Sequence, residues 1–120
     1  MEGHVAWIIE LAVKDGQLGT FEELMREMVE GTSTEPRTLA YEWYVSGDES
    51  AVHIFEKYAD SDAMILHVNG FLQKWARRFM ECVDITRFVV YGDPSPAARE
   101  ILDGWNAVYM GPWGGFSRFS

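Results

Sequence analysis

A few polar side chains and a set of large rings carry most of the chemistry open to this sequence. His67 sits in a helix-like stretch beside an apolar stripe of Val68, Phe71 and Trp75. An imidazole next to aromatic rings can take a proton from a phenolic group near neutral pH. The plainer alternative is a ring whose nitrogens are satisfied by neighbouring backbone or carboxylate. Glu56 falls beside Tyr41, on a strand face that also carries Trp43 and Ile54. A carboxylate there can orient a hydroxylated ligand or shift a pKa, or it can simply accept a hydrogen bond from Tyr41. Trp7, Trp43, Phe71, Trp75 and Phe79 are candidate walls for a planar ligand, although each ring at helical or strand spacing also serves as ordinary core.

The elements that must position these groups follow from hydrophobic periodicity. Val5 to Val13 alternates with apolar residues on both faces, which predicts a central strand covered on both sides. Thr20-Phe21-Glu22-Glu23 has capping-box spacing, and Phe21, Leu24, Met25, Met28 and Val29 line one face of a helix reaching Glu30, with Gly31 as its stop. Thr38–Ser46 and Ala51–Tyr58 form a hairpin about Gly47-Asp48-Glu49-Ser50. Pairing Gly47 with Ser50 sets Val45 opposite Val52, Trp43 opposite Ile54 and Tyr41 opposite Glu56.

Asp60 or Ser61 caps a second helical region to about Met80. There Met64, Val68, Phe71, Trp75 and Phe79 stack on one face, and Asn69-Gly70 marks a kink or a split. A strand over 84–91 and a short helix over 97–102, with Pro96 in its first turn, come next. The segment 104–120 holds Trp105, Tyr109, Trp113, Phe116 and Phe119, too aromatic for a disordered tail. The order strand, helix, strand, strand, helix, strand is the split βαβ of an α+β, ferredoxin-like fold. Its two helices cover one sheet face, so a second copy of the chain is the simplest cover for the other.

Composition narrows the field. The 120 residues fit one domain of ordinary globular character, 48% hydrophobic and 24% charged. Ten Lys and Arg against 19 Asp and Glu leave a formal net charge of −9, which repels phosphate backbones and anionic membranes. No apolar run approaches the ~20 residues of a membrane span. Met1-Glu2-Gly3-His4 carries no positive stretch, which predicts a chain without a secretory leader. The lone cysteine, Cys82, suits a reducing cytoplasm. Five Trp, five Tyr and seven Phe exceed what one small core uses, and point to an interface or an aromatic pocket.

Familiar catalytic signatures are missing. Gly111-Pro112-Trp113-Gly114-Gly115 lacks the strand-to-helix setting of a phosphate cradle, and no nucleophile elbow is present. His4, His53 and His67 show no i, i+4 pairing, and His53 and Glu56 point to opposite faces of one strand, so no metal site is expected.

The run Glu35-Pro36-Arg37-Thr38-Leu39-Ala40-Tyr41-Glu42-Trp43-Tyr44, then Phe55-Glu56-Lys57-Tyr58-Ala59-Asp60-Ser61-Asp62-Ala63 and His67, resembles the antibiotic-biosynthesis monooxygenase family of dimeric α+β barrels. The resemblance covers about residues 5–91, and Gly114-Gly115-Phe116-Ser117-Arg118 resembles a C-terminal extension of one branch. It implies a homodimer with sheets packed face to face and a pocket between sheet and helices. Several members oxygenate phenols, quinols or anthrones with O2 and neither metal nor flavin. His67 matches the family's helix histidine, Trp75 an aromatic wall, and Tyr41 with Glu56 the strand pair. Haem-degrading relatives carry an asparagine on the first strand; here that strand offers Trp7, Ile8, Ile9 and Glu10, and Asn69 is the only nearby amide.

The expectation is therefore a ferredoxin-like domain over 1–103 and an extension over 104–120 packed on it or on a partner. The chain is expected to be a cytoplasmic, cofactor-independent monooxygenase of an aromatic or polyphenolic substrate. His67 and Trp75 are its candidate catalytic residues; Trp7, Tyr41, Trp43, Glu56, Asn69, Phe71 and Phe79 are candidates for substrate binding. Nucleic acid and membrane are not expected partners. The alternative is a non-catalytic dimer that binds a hydrophobic small molecule.

Overall fold

A computed structural model describes residues 3–118; Met1, Glu2, Phe119 and Ser120 lie outside the described residues. Nine elements follow in order: β1 (Val5–Val13), α1 (Leu18–Thr32), β2 (Thr38–Val45), β3 (Ala51–Tyr58), α2 (Ser61–Lys74), α3 (Ala76–Cys82), β4 (Val83–Gly92), α4 (Pro96–Asp103) and β5 (Val108–Met110). The sheet order is β2-β3-β1-β4-β5, antiparallel except for the β4–β5 pair. This is the ferredoxin-like α+β fold expected from the element order, with β5 added at the β4 edge.

β1 is central, and alternation divides its side chains between two environments. Val5, Trp7, Ile9 and Leu11 are buried in one core cluster with Phe21, Leu24 and Met28 of α1 and with Met64 and Val68 of α2. Ala6, Ile8, Glu10 and Ala12 on the reverse face are only half-buried. The hairpin register is the expected one: Tyr41 opposes Glu56, Trp43 opposes Ile54 and Val45 opposes Val52, with a bulge at Leu39.

Three helix boundaries differ from expectation. α1 starts two residues before Thr20, behind Gln17, which makes no side-chain cap. The turn Lys14-Asp15-Gly16 closes by a Gln17 N–H to Lys14 carbonyl bond (3.0 Å), so the helix can begin at once. The Gln17 amide oxygen instead faces the Cys82 thiol. α1 also runs through Gly31 to Thr32 and ends where Ser33 and Thr34 hydroxyls bind the carbonyls of Glu30 and Gly31 (2.6 and 2.7 Å). α2 passes unbroken through Asn69-Gly70; the break comes at Trp75, whose φ of −130° leaves the helical region.

Asp60, one of the two caps expected for α2, fills that role, and Pro96 opens α4 as expected, behind a Ser95 cap that the sequence reading does not name. Asp60 accepts from the Ala63 N–H (2.9 Å), and Ser95 accepts from the Ala98 N–H (3.2 Å) with Pro96 following. In the C-terminal segment, Trp105 and Tyr109 pack against the core, and the Tyr109 hydroxyl donates to Asp103 (2.6 Å). Trp113 and Phe116 make no such cover and stand exposed.

Candidate active site

Strand register lines up the polar part of the site. Across β2, β3 and β1, Tyr41 faces Glu56 and Glu56 faces Trp7, so three adjacent strands place a phenol, a carboxyl and an indole in one row. α2 crosses above this row with His67 one turn after the buried Ala63 and Met64. The His67 ring centroid lies 5.4 Å from that of Tyr41 and 5.4 Å from that of Tyr58.

These groups form one end of a cavity of about 240 Å³ between the sheet and the helices. The remaining wall is apolar. Phe71 and Phe79 meet edge-on at 5.3 Å, Phe88 packs on Trp7 at 5.3 Å, and Trp105 touches both Phe71 and Phe88. Leu72 and Met80, both exposed, form the rim.

The imidazole of His67 is 3% exposed and lies between two carboxylates. Its Nδ1 is 2.9 Å from Glu35 Oε1, and its Nε2 is 3.5 Å from Glu56 Oε1. Thr38 donates its hydroxyl to the same Glu35 oxygen (2.8 Å). Glu56 accepts from the Tyr58 hydroxyl in a short bond, and Trp7 lies opposite it on β1. Burial pushes the Glu56 carboxyl above its ordinary range, and the neighbouring His67, Tyr58 and Trp7 offset this only in part. Burial, then the charge of Glu56, likewise raises Tyr41 and Tyr58, so both keep their protons and remain donors.

The Tyr41 hydroxyl is buried and has no hydrogen-bond partner. Such a group costs about 1–3 kcal/mol until it is satisfied. The Tyr41 side chain lines the cavity beside the imidazole, and the Thr32 hydroxyl and Trp43 indole lie near its oxygen.

Of the sequence candidates, Trp7, Tyr41, Glu56, His67, Phe71 and Phe79 converge on this cavity. The other three do not. Trp75 is buried on the far side of its helix: its ring packs against Gly31 and its N–H donates to Glu27 (2.8 Å). The helical stripe that grouped Trp75 with Phe71 and Phe79 is broken by the bend at residue 75 itself. Trp43 lies against Phe21 and lines a separate cleft between α1 and the hairpin, because it sits one strand pair beyond the row at Tyr41. Asn69 is exposed on the outer side of α2, two residues beyond His67 and so across the helix from it.

Glu35, Tyr58, Phe88 and Trp105 are site residues that sequence reasoning did not single out. Tyr58 shares a strand face with Glu56 by simple alternation, which is a usable signal. Glu35 lies in a loop and Trp105 in the C-terminal segment, where no periodicity points to a cavity.

Among the described residues, no group of three or more His, Cys, Asp or Glu is arranged to hold a metal ion. No helix among them is long and apolar enough to cross a membrane.

Comparison with known proteins agrees with this architecture. Similar solved structures include MupZ from Pseudomonas fluorescens, with a TM-score of 0.87 at 22% identity over 98% of this chain and 91% of that one. SnoaB, a cofactor-independent oxygenase from Streptomyces nogalater, gives 0.64 at 14% identity over 78% and 95%. Rv0793 from Mycobacterium tuberculosis gives 0.65 at 21% identity over 78% and 98%. At these identities the likeness is one of fold. No curated protein matches the sequence. Residues 5–83 match the family described as antibiotic biosynthesis monooxygenase, and with that match spanning more than half of its length the chain belongs to this family.

Proposed function

We propose that the protein is a cofactor-independent monooxygenase acting in the cytoplasm on a planar aromatic compound with an acidic O–H or C–H group, of quinol or anthrone type. The observation that carries this reading is the grouping of His67, Glu56 and Tyr41 at one end of an otherwise apolar, ring-lined cavity. Membership of the monooxygenase family and the similar fold of SnoaB, itself a cofactor-independent oxygenase, support it.

In this reading the rings of Trp7, Phe71 and Phe79 hold the substrate plane, and Tyr41 donates to its oxygen. His67 removes a proton, leaving an electron-rich anion in a site shielded from water. The anion reduces O2. One oxygen atom enters the substrate as a carbonyl and the other leaves as water, so the four electrons taken up by O2 all come from the substrate. No external reductant is required.

A homodimer completes the proposal. The sheet face turned away from the helices carries Ile8, Phe55, Val108 and Met110, an apolar surface that one chain leaves half covered. A second copy packed face to face would cover it, and the exposed Trp113 and Phe116 support a C-terminal segment that reaches the partner.

Oxygen uptake by chelator-treated protein with hydroquinones, anthrones and flavonoids, each compared with the compound alone, tests the reading. Protein-dependent uptake with a mass-shifted product is expected. Quenching of tryptophan fluorescence without any uptake would instead identify a binding module.

A further inference from the structure

The geometry points to Glu35 as a positioning residue that holds His67 in the one tautomer able to act as a base toward the cavity. This inference rests on the oxygenase reading only for its catalytic consequence; the arrangement itself is a property of the folded chain.

A neutral imidazole has one N–H and one lone pair, and the better acceptor takes the N–H. The two candidates flank the ring unequally. Glu35 Oε1 lies 2.9 Å from Nδ1, within ordinary hydrogen-bond range, whereas Glu56 Oε1 lies 3.5 Å from Nε2, at the limit. Glu56 Oε1 is already engaged by the Tyr58 hydroxyl. The proton therefore sits on Nδ1 and donates to Glu35, and the Nε2 lone pair is left on the cavity side with Glu56 and Tyr41. Thr38 locks the arrangement by donating to the same Glu35 oxygen, so the carboxylate is held from two directions.

Glu35 does not line the cavity, and its side chain is 16% exposed, against 4% for His67. It touches neither substrate nor O2 and acts only through the imidazole. When the substrate O–H or C–H bond breaks, its electron pair stays on the substrate and the proton forms an N–H bond at Nε2. The imidazolium then has a carboxylate on each side. The same Nε2 proton is available to return to the oxygen that leaves as water, so the ring ends where it began. No oxidant or metal enters the step.

The test reads the ring directly. Long-range proton–nitrogen NMR of 15N-histidine-labelled wild-type protein, at a pH where His67 is neutral, should show Nδ1–H. Glu35→Gln should move the proton to Nε2, because Glu56 Oε1 is then the only carboxyl oxygen beside the ring. Glu35→Asp, which keeps the charge but draws the carboxylate back from Nδ1, should move the same balance in the same direction by a smaller amount and covers the case in which Glu35→Gln fails to fold. With a turned-over substrate, Glu35→Gln should lower kcat about tenfold or more with KM unmoved, as expected when a base is presented in the wrong tautomer. Nε2–H in the wild type, or Nδ1–H retained in Glu35→Gln, overturns the proposal whatever the activity. The expected tautomers together with no oxygen uptake by any panel compound would uphold the positioning role and remove the oxygenase reading alone.

Discussion

Trp75 packs so closely on Gly31 that a side chain at position 31 has no room: a Cβ there would lie 2.7 Å from Cζ2 and 2.8 Å from Cη2 of the indole. The contact joins α1 to the bend between α2 and α3, and the indole N–H donates to Glu27 of α1. Gly31→Ala must push either the ring or the helix aside, since both ring atoms belong to a rigid, buried side chain. The expected cost is about 1–3 kcal/mol of stability, the usual range for overpacking a filled site. Denaturant titration checks this, and Trp75→Leu in the same chain should recover part of the loss. A Gly31→Ala protein as stable as wild type would show that the indole can move freely.

His67→Ala should lower turnover at least about tenfold if the imidazole transfers a proton in the slow step. The variant leaves Glu35 and Glu56 facing each other without the cation-capable ring between them. Ligand binding, read by tryptophan quenching, should survive because the apolar wall is intact. Unchanged turnover would leave His67 a structural residue.

Glu56 gives a signed pH prediction. Its carboxyl is raised in the folded state from the ordinary 4.5, chiefly by burial. The folded chain therefore keeps a proton that the unfolded chain has released, and its stability contribution is complete below about pH 4.5 and declines as pH rises through the folded value. Glu56→Gln cannot titrate. The stability of wild type relative to Glu56→Gln should fall as pH is raised from 4.5 toward neutrality, measured by denaturation of both proteins across that range. A gap that stays constant or opens the other way would show that His67, Tyr58 and Trp7 outweigh the burial.

Much of this site is legible from residue order alone, for a physical reason. A strand face repeats every two residues, so the register that sets Tyr41 opposite Glu56 follows once the hairpin turn is fixed at Gly47 to Ser50. The same logic places Trp7 and exposes the opposite face. Helical stripes are less secure, because one bend rotates everything after it. Trp75 falls on the stripe with Phe71 and yet points to Gly31, since α2 ends at that residue. Gly31 reads as a helix stop because glycine commonly ends helices; its actual use, close approach by a ring from another element, is invisible without the tertiary contact. Glu35 is hidden for a similar reason, as a loop carboxylate 32 residues from its histidine.

Tyr41→Phe separates binding from folding. The hydroxyl is buried and unpartnered, as are the Thr32 hydroxyl and Trp43 indole N–H near it, so removing it breaks no formed hydrogen bond. Stability should hold or rise by up to about 1 kcal/mol, while affinity for a hydroxylated aromatic should fall about tenfold if the phenol donates to the ligand. Thermal melts and fluorescence titration read the two effects independently. Lower stability with unchanged affinity would assign the hydroxyl a structural role.

The proposed dimer is tested most cleanly on β1. Ile8 points away from the cavity that its neighbours Trp7 and Ile9 line, and it pairs laterally with Phe55 and Val89 on the opposite face. A charge introduced there does not enter the core of the single chain. Ile8→Lys should therefore fold, with unchanged circular dichroism, yet lose its partner because an unpaired ammonium would have to be buried between two sheets. Sedimentation of wild type should give twice the 13.7 kDa chain mass, and the variant a single mass. Two facing copies each carrying the lysine place like charges against one another, which adds repulsion to the burial cost. A wild-type chain that sediments as a monomer at high concentration would remove the dimer, and an Ile8→Lys protein that still pairs would place the interface on another surface.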